Sequence, residues 1–267
     1  MAGFFGLFNY EKEGPGVSKN AREKKSFIRF FELFFKNFWK LVVNNIWFWL
    51  LTVLGLTSGF AAAGMTNITR NMAVDTHSFG TSDFFETIKK NWKQSLAAGI
   101  INLLVYSILA FDIYFFASFT QNEMKIVGII GACMVLLLFL LMQYYFWIIL
   151  VTFKLKLFQI YKNSFKLAIV SLKVNIKIIL SMLLVYAVAF GLGIVGTGIT
   201  QFTFALYVLF VLPGIRFLII QYNVFPVINK FMIEPYYKEH PDEDLELRRR
   251  LGVLDSQKND SDFEDII

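Results

Sequence analysis

Cysteine occurs once and histidine twice in the 267 residues, and charged residues make up only 17%. Each scarcity removes a class of function. The lone Cys133 lies inside an apolar run, so an intramolecular disulfide and a paired-cysteine motif are both excluded, and it reads as a small buried hydrophobe. The histidines, His77 and His240, have no metal-ligand spacing around them. Also missing are a Gly-x-Ser-x-Gly elbow and a glycine-rich phosphate loop ending in Lys-Ser/Thr. Gly14-Pro15-Gly16 is a turn in a basic segment and not such a loop. The sequence therefore predicts no enzyme, no catalytic residue, no metal site and no cofactor.

Charge is scarce because apolar residues dominate. They make up 56% of the chain, phenylalanine alone occurs 31 times, and the mean hydropathy is +0.55. Soluble domains carry roughly 25% charged residues. A single aqueous core of this size cannot enclose so much apolar surface, whereas a bilayer solvates the outward faces. Four charge-free runs agree: Leu41–Thr69 with 29 residues, Gln94–Phe111 with 18, Ile126–Phe153 with 28 and Ile178–Ile215 with 38. A helix needs about 20 residues to cross a ~30 Å hydrocarbon core. Met1–Tyr10 lacks the basic and apolar regions of a cleavable signal, so the first span is expected to act as its own insertion signal.

The longest run would measure ~57 Å as one helix, so it is split at the glycines Gly191, Gly193, Gly196 and Gly198. Five alternating spans would place 9 of the 26 lysines and arginines on one side and 17 on the other. Reading Leu41–Thr69 as the core of a tight hairpin turning near Gly55–Gly59 gives six spans and places 25 on one side, leaving only Lys125 on the other. Basic residues collect on the cytoplasmic side. The expected fold is therefore all-α: a polytopic membrane protein with six transmembrane helices in three hairpins and both termini cytoplasmic. The spans fall at about 40–56, 57–73, 95–118, 125–150, 176–195 and 201–224. The second, rich in small residues and carrying Asn67, Thr69, Arg70 and Asn71, suits a helix hidden among its neighbours, with Arg70 snorkelling to the inner interface. Residues 235–267, with ten acidic side chains and Arg248-Arg249-Arg250, read as a flexible cytoplasmic tail.

An internal repeat runs through this plan. A shift of 80 residues places Phe85 on Phe165, Lys93 on Lys173, and Leu103-Leu104-Val105-Tyr106 on Leu183-Leu184-Val185-Tyr186. A shift of 78 places Gln143-Tyr144 on Gln221-Tyr222, and Lys36-Asn37-Phe38 resembles Lys90-Asn91-Trp92. Each hairpin is preceded by an amphipathic stretch expected to lie as a cytoplasmic interfacial helix. Its basic and aromatic residues, Lys89, Lys90, Trp92 and Lys93 in the second copy and Lys162, Lys166 and Lys173 in the third, are candidates for lipid contact or for docking a cytosolic partner. Asp83 is expected to cap the second stretch. Because the apolar faces adjoin spans, these stretches are not nucleic-acid surfaces.

Polar groups inside spans are costly and mark candidate sites. Asp112, Asn102, Gln143, Arg216 and Gln221 are such groups, and Arg216 follows a kink expected at Pro213-Gly214. One reading gathers all five around a cavity, with broken-helix carbonyls available to a ligand. The other leaves Asp112 at the outer interface and Arg216 snorkelling inward, too far apart in depth to pair.

Several segments carry a family resemblance: Gly14-Pro15-Gly16-Val17, Phe30-Phe31 through Phe38-Trp39-Lys40-Leu41, Asn45, and Asp83-Phe84-Phe85 with Lys90-Asn91-Trp92-Lys93-Gln94-Ser95. Together they resemble the YesL-like bacterial membrane proteins, a domain-of-unknown-function family, over most of the chain up to about residue 230. The resemblance implies a Gram-positive plasma-membrane protein, often encoded beside carbohydrate ABC importers and polysaccharide-degradation genes. It brings no established catalytic or ligand-binding residue. Two functions follow as expectations: an accessory or regulatory subunit of a carbohydrate ABC importer, or a self-contained small-solute transporter or channel. An importer permease proper is disfavoured, since neither 82–94 nor 155–172 shows the Glu-Ala-Ala…Gly coupling helix. Membrane lipids are expected partners, importer subunits and a second copy of the chain remain open ones, and nucleic acid is not expected.

Overall fold

The computed structural model describes residues 26–76, 78–119, 122–194 and 197–239. The Gly14–Val17 turn, both histidines and residues 240–267 of the tail, with Arg248–Arg250, lie outside the described residues. The described chain is helical throughout, with no strand. Its elements are α1 (Ser26–Lys36), α2 (Phe38–Val53), α3 (Ser58–Ala73), α4 (Thr81–Phe119), α5 (Asn122–Thr152), α6 (Leu157–Val170) and α7 (Leu172–Ile194). After these come α8 (Gly198–Phe210), α9 (Leu212–Ile228), a π-helical turn (Asn229–Ile233) and α10 (Glu234–Glu239).

Three helices, α4, α5 and α7, are long and apolar enough to cross a bilayer, and α8 and α9, bent by 48°, qualify together as a fourth. Length and apolarity thus account for three or four of the six expected spans. The other two coincide with α2 and α3. Each has 16 residues, or about 24 Å of helix, short of a ~30 Å core. Apolar side chains such as Leu104, Ile108, Val135, Leu180, Leu184 and Phe190 face outward. That surface is tenable only where lipid covers it. Cys133 belongs to it: the residue is exposed on α5 rather than buried, because in a lipid-facing helix an apolar neighbourhood does not imply a core.

The centre of the bundle is α3. Its residues from Gly59 to Met65 are almost all buried, as are Thr66, Ile68, Thr69 and Met72. Small residues make this possible. A Cβ on Gly59 would sit 2.0 Å from the Ser95 carbonyl oxygen, and one on Gly64 would sit 2.6 Å from the Phe84 ring. Arg70 stands in the last turn of α3 and is held there by side chains. Its guanidinium donates to Asn67 Oδ1 (2.7 Å), Asn71 Oδ1 (3.0 Å) and Thr152 Oγ1 (2.9 Å), which joins α3 to the end of α5.

Each amphipathic stretch meets the following helix at a break of similar backbone shape. The φ/ψ pairs are −108/10 at Asn37, −114/15 at Asn91 and −104/40 at Ser171. At the first two the side chain adds a hydrogen bond at the break: Asn37 Nδ2 donates to Leu33 O (3.0 Å) and Asn91 Nδ2 to Thr87 O (3.1 Å). Asparagine suits such a site because its short amide competes for nearby backbone groups. Asn91 and Ser171 are 80 residues apart, the interval of the sequence repeat. In the second copy the stretch runs from Thr81 to the kink at Asn91, beyond which α4 continues.

Asp83 lies inside the first turn of α4 rather than at its N-cap. Its carboxylate reaches back to accept from the Phe79 backbone N–H (2.9 Å) and the Ser78 hydroxyl (3.0 Å). The chain enters α4 through Gly80 at φ +66, a conformation glycine adopts without strain, so the helix starts three residues earlier than an aspartate cap would place it.

The last span breaks at Val211, and Pro213 sits in the first turn of α9. Proline has no N–H to donate and fits that first turn. Two nearby carbonyls of α8 are satisfied by α2 instead: Asn45 Nδ2 donates to Phe210 O (2.6 Å) and Trp49 Nε1 to Val208 O (3.3 Å). These broken-helix carbonyls are structural and not free for a ligand.

Candidate functional site

A cavity of about 400 Å³ opens among α2, α3, α4, α5, α7 and α9. Four of the five intramembrane polar residues singled out in the sequence line it: Asn102, Gln143, Arg216 and Gln221. Asp112 does not. It lies ten residues beyond Asn102 on α4, or about 15 Å further along the helix, so depth alone separates it from the group.

Asn102 on α4 and Gln143 on α5 exchange two amide hydrogen bonds, 3.1 Å and 3.2 Å long. The Tyr161 hydroxyl of α6 donates to the same Asn102 oxygen at 2.9 Å. The amphipathic α6 is thereby tied to a polar pair at the cavity wall. Burial, with Tyr106 nearby, pushes the Tyr161 hydroxyl up to about 12. Deeper in the bundle, Gln221 and Thr66 also reach the cavity, and both are buried, with exposures of 1% and 0%. Gln221 Oε1 and Thr66 Oγ1 have no hydrogen-bond partner among the described residues. Among the described residues, Arg216 is the only charged one in the lining.

Sequence reasoning missed the aromatic wall: Phe48, Tyr106, Tyr144, Trp147 and Tyr186. A usable signal existed. Tyr106 and Tyr186 are repeat mates at a shift of 80, and Gln143 and Gln221 at a shift of 78. Both of these sequence-matched pairs line this one cavity.

The basic candidates lie elsewhere. Lys89, Lys90, Trp92 and Lys93, with Lys154 and Lys156, surround a hollow of about 550 Å³ beside the Asn91 break. Gln94 Nε2 bridges its two sides by donating to Leu155 O at 2.9 Å. Lys90 pairs with Glu86 at 2.6 Å, which holds that exposed carboxyl below its usual range. Lys162, Lys166 and Lys173 are exposed, and Lys166 borders a mainly apolar groove between α6 and the segment Phe231–Tyr237. Among the described residues, no group of three His, Cys, Asp or Glu side chains is placed to hold a metal ion.

Residues 41–113 are similar to a family described as a protein of unknown function, DUF624. The matched stretch takes in α2, α3 and most of α4, including the Asp83–Ser95 segment that carried the sequence resemblance. No curated protein and no solved structure matches the chain.

Proposed function

We propose that this chain is a non-enzymatic membrane protein that binds a small polar solute in the central cavity and moves it across the bilayer. Six spans form three hairpins, each entered from a cytoplasmic amphipathic helix, in the plasma membrane of a bacterium and with both termini inside. The observation that carries the reading is the convergence of repeat-related residues, Tyr106 with Tyr186 and Gln143 with Gln221, on one polar cavity. Transporters built from repeats hold substrate near the repeat interface, often beside discontinuous helices. The Val211 break next to Arg216 fits that pattern. Aromatic walls with a few convergent polar groups are the usual make-up of a small-molecule site.

A second reading has its own support. The exposed lysines and aromatic side chains of α6, with Phe158 79% exposed, and the adjoining groove suit docking of a partner subunit. In that case the chain would be the YesL-like accessory component of a carbohydrate ABC importer. Reconstitution separates the two. The purified chain in proteoliposomes is expected to move solute unaided, and substitutions at Gln143 or Gln221 are expected to slow it. Uptake that appears only when permease and ATPase are added would reverse the order of the two readings.

A further inference from the structure

Resting on the reading of the cavity as a solute site, we infer that the solute is a small hydroxylated organic anion. Its carboxylate is held by Arg216, and its hydroxyls by Gln221 and Thr66. The argument begins with charge. Among the described residues, Arg216 is the only charged one in the lining, none that lines the cavity is acidic, and none forms a salt bridge with it. Arg216 is exposed, so a ligand can reach its guanidinium, which receives a carboxylate with two parallel hydrogen bonds. One positive charge and no negative one also set the sign: a cation gains nothing here.

The hydroxyls come from an independent observation. Most buried polar side-chain atoms have a partner, yet Gln221 Oε1 and Thr66 Oγ1 do not. An amide oxygen only accepts, so it calls for an O–H or N–H from a ligand. Thr66 also departs from its neighbours. Thr52, Thr69 and Thr87 each donate to the carbonyl four residues back, and Thr66 does not. Its hydroxyl remains available to the cavity. Arg216 and Gln221 are separated by about 7.5 Å of rise along α9, which matches a chain of several carbons between carboxylate and hydroxyl. The faces of Tyr106, Tyr144, Trp147 and Tyr186 provide the walls for that carbon chain.

The test uses the full chain in nanodiscs of zwitterionic lipid with three probes: gluconate, its uncharged hexitol counterpart sorbitol, and hexanoate, which keeps the charge and loses the hydroxyls. Gluconate is expected to bind at least ten-fold more tightly than either. Arg216→Gln should erase its advantage over sorbitol, Arg216→Lys should restore part of it, and Gln221→Met should erase its advantage over hexanoate. The wild-type ratios need no variant and stand even where a variant fails to fold. Sorbitol binding equal to gluconate would overturn the anion and leave the cavity reading in place. Hexanoate binding equal to gluconate would overturn the hydroxyl half. If none of the three binds at tens of millimolar, this inference and the reading beneath it fall together.

Discussion

Asn102 and Gln143 face each other across α4 and α5 and exchange both amide hydrogen bonds, while the Tyr161 hydroxyl adds a third bond to the Asn102 oxygen. Three elements thus depend on one side chain. Asn102→Leu leaves the Gln143 amide and the Tyr161 hydroxyl unpaired, and an orphaned polar group costs about 1–3 kcal/mol. Replacing both amides removes the orphans on α4 and α5 together. The expected double-mutant cycle, from denaturation in mild detergent, is therefore non-additive: Asn102→Leu with Gln143→Leu should cost less than the two single changes summed.

Tyr161, which donates to that pair, makes its own burial visible in pH. Its ordinary value is 10.0, and burial raises it to about 12 in the folded protein. For a group with a raised folded-state value, the stabilising contribution is complete below pH 10 and is lost as pH rises towards 12. A wild-type chain should therefore lose stability across that window more steeply than Tyr161→Phe, with the difference paralleled by a late step in tyrosinate absorbance. Identical alkaline profiles for the two proteins would sink the burial of the Tyr161 hydroxyl.

Much of the cavity was legible in the sequence, for a definite reason. Asn102, Gln143, Arg216 and Gln221 interrupt apolar runs, and polar groups inside a bilayer are rare enough to stand out. Tyr106, Tyr144, Trp147 and Tyr186 were not legible individually, because aromatics are common in such helices and only packing decides which line a hollow. Thr66 was hidden because a helical threonine normally bonds to its own backbone. Sequence leaves Asp112 between two places, with the group or apart from it, because it shows polarity but not depth. Cys133 was assigned to a core because apolar flanks mean burial in water and need not mean it in lipid. The helix junctions divide the same way: the Asn37 and Asn91 matches were readable, whereas the shared backbone shape that makes Ser171 their counterpart was not.

Glycine content alone does not distinguish Gly59 from Gly131, but their surroundings do. A Cβ on Gly59 would meet the Ser95 carbonyl oxygen at 2.0 Å and the Gly99 Cα at 3.1 Å, all of it backbone that cannot swing aside. A Cβ on Gly131 meets nothing within 4 Å. Gly59→Ala must push α3 from α4 and is expected to abolish a monodisperse folded fraction in gel filtration. Gly131→Ala should be neutral or slightly stabilising through its better helix propensity, by less than about 1 kcal/mol.

The salt bridge between Lys36 and Asp75 is short, at 2.6 Å, but 60% and 48% of the two side chains are exposed. Exposed pairs contribute about 0–1 kcal/mol. Asp75 also occupies the left-handed region at φ 54, where aspartate and asparagine are tolerated better than most residues. Asp75→Asn keeps that tolerance and removes the charge, so it should change thermal stability little and abolish any salt dependence of the pair. Asp75→Val should cost clearly more, because a β-branched side chain is strained there. Comparing the two melting temperatures at low and high salt separates backbone strain from charge.

Asn45 has the most demanding structural task, because it serves a carbonyl that the broken helix leaves open. Its amide nitrogen donates to Phe210 O at 2.6 Å, immediately before the break at Val211, and Trp49 supports Val208 O one turn away on α2. Water is scarce at that depth, so an unmet carbonyl must find a donor in protein. Asn45→Leu removes the donor while roughly keeping the volume, and the expected cost is about 1–3 kcal/mol. Trp49→Phe, which loses a longer and weaker bond, should cost less. The break also orients Arg216, four residues into α9, so the defect should reach the cavity. In the nanodisc assay Asn45→Leu is expected to weaken gluconate binding even though Asn45 is not part of the lining. Unchanged binding in a destabilised Asn45→Leu protein would confine the residue to holding the fold.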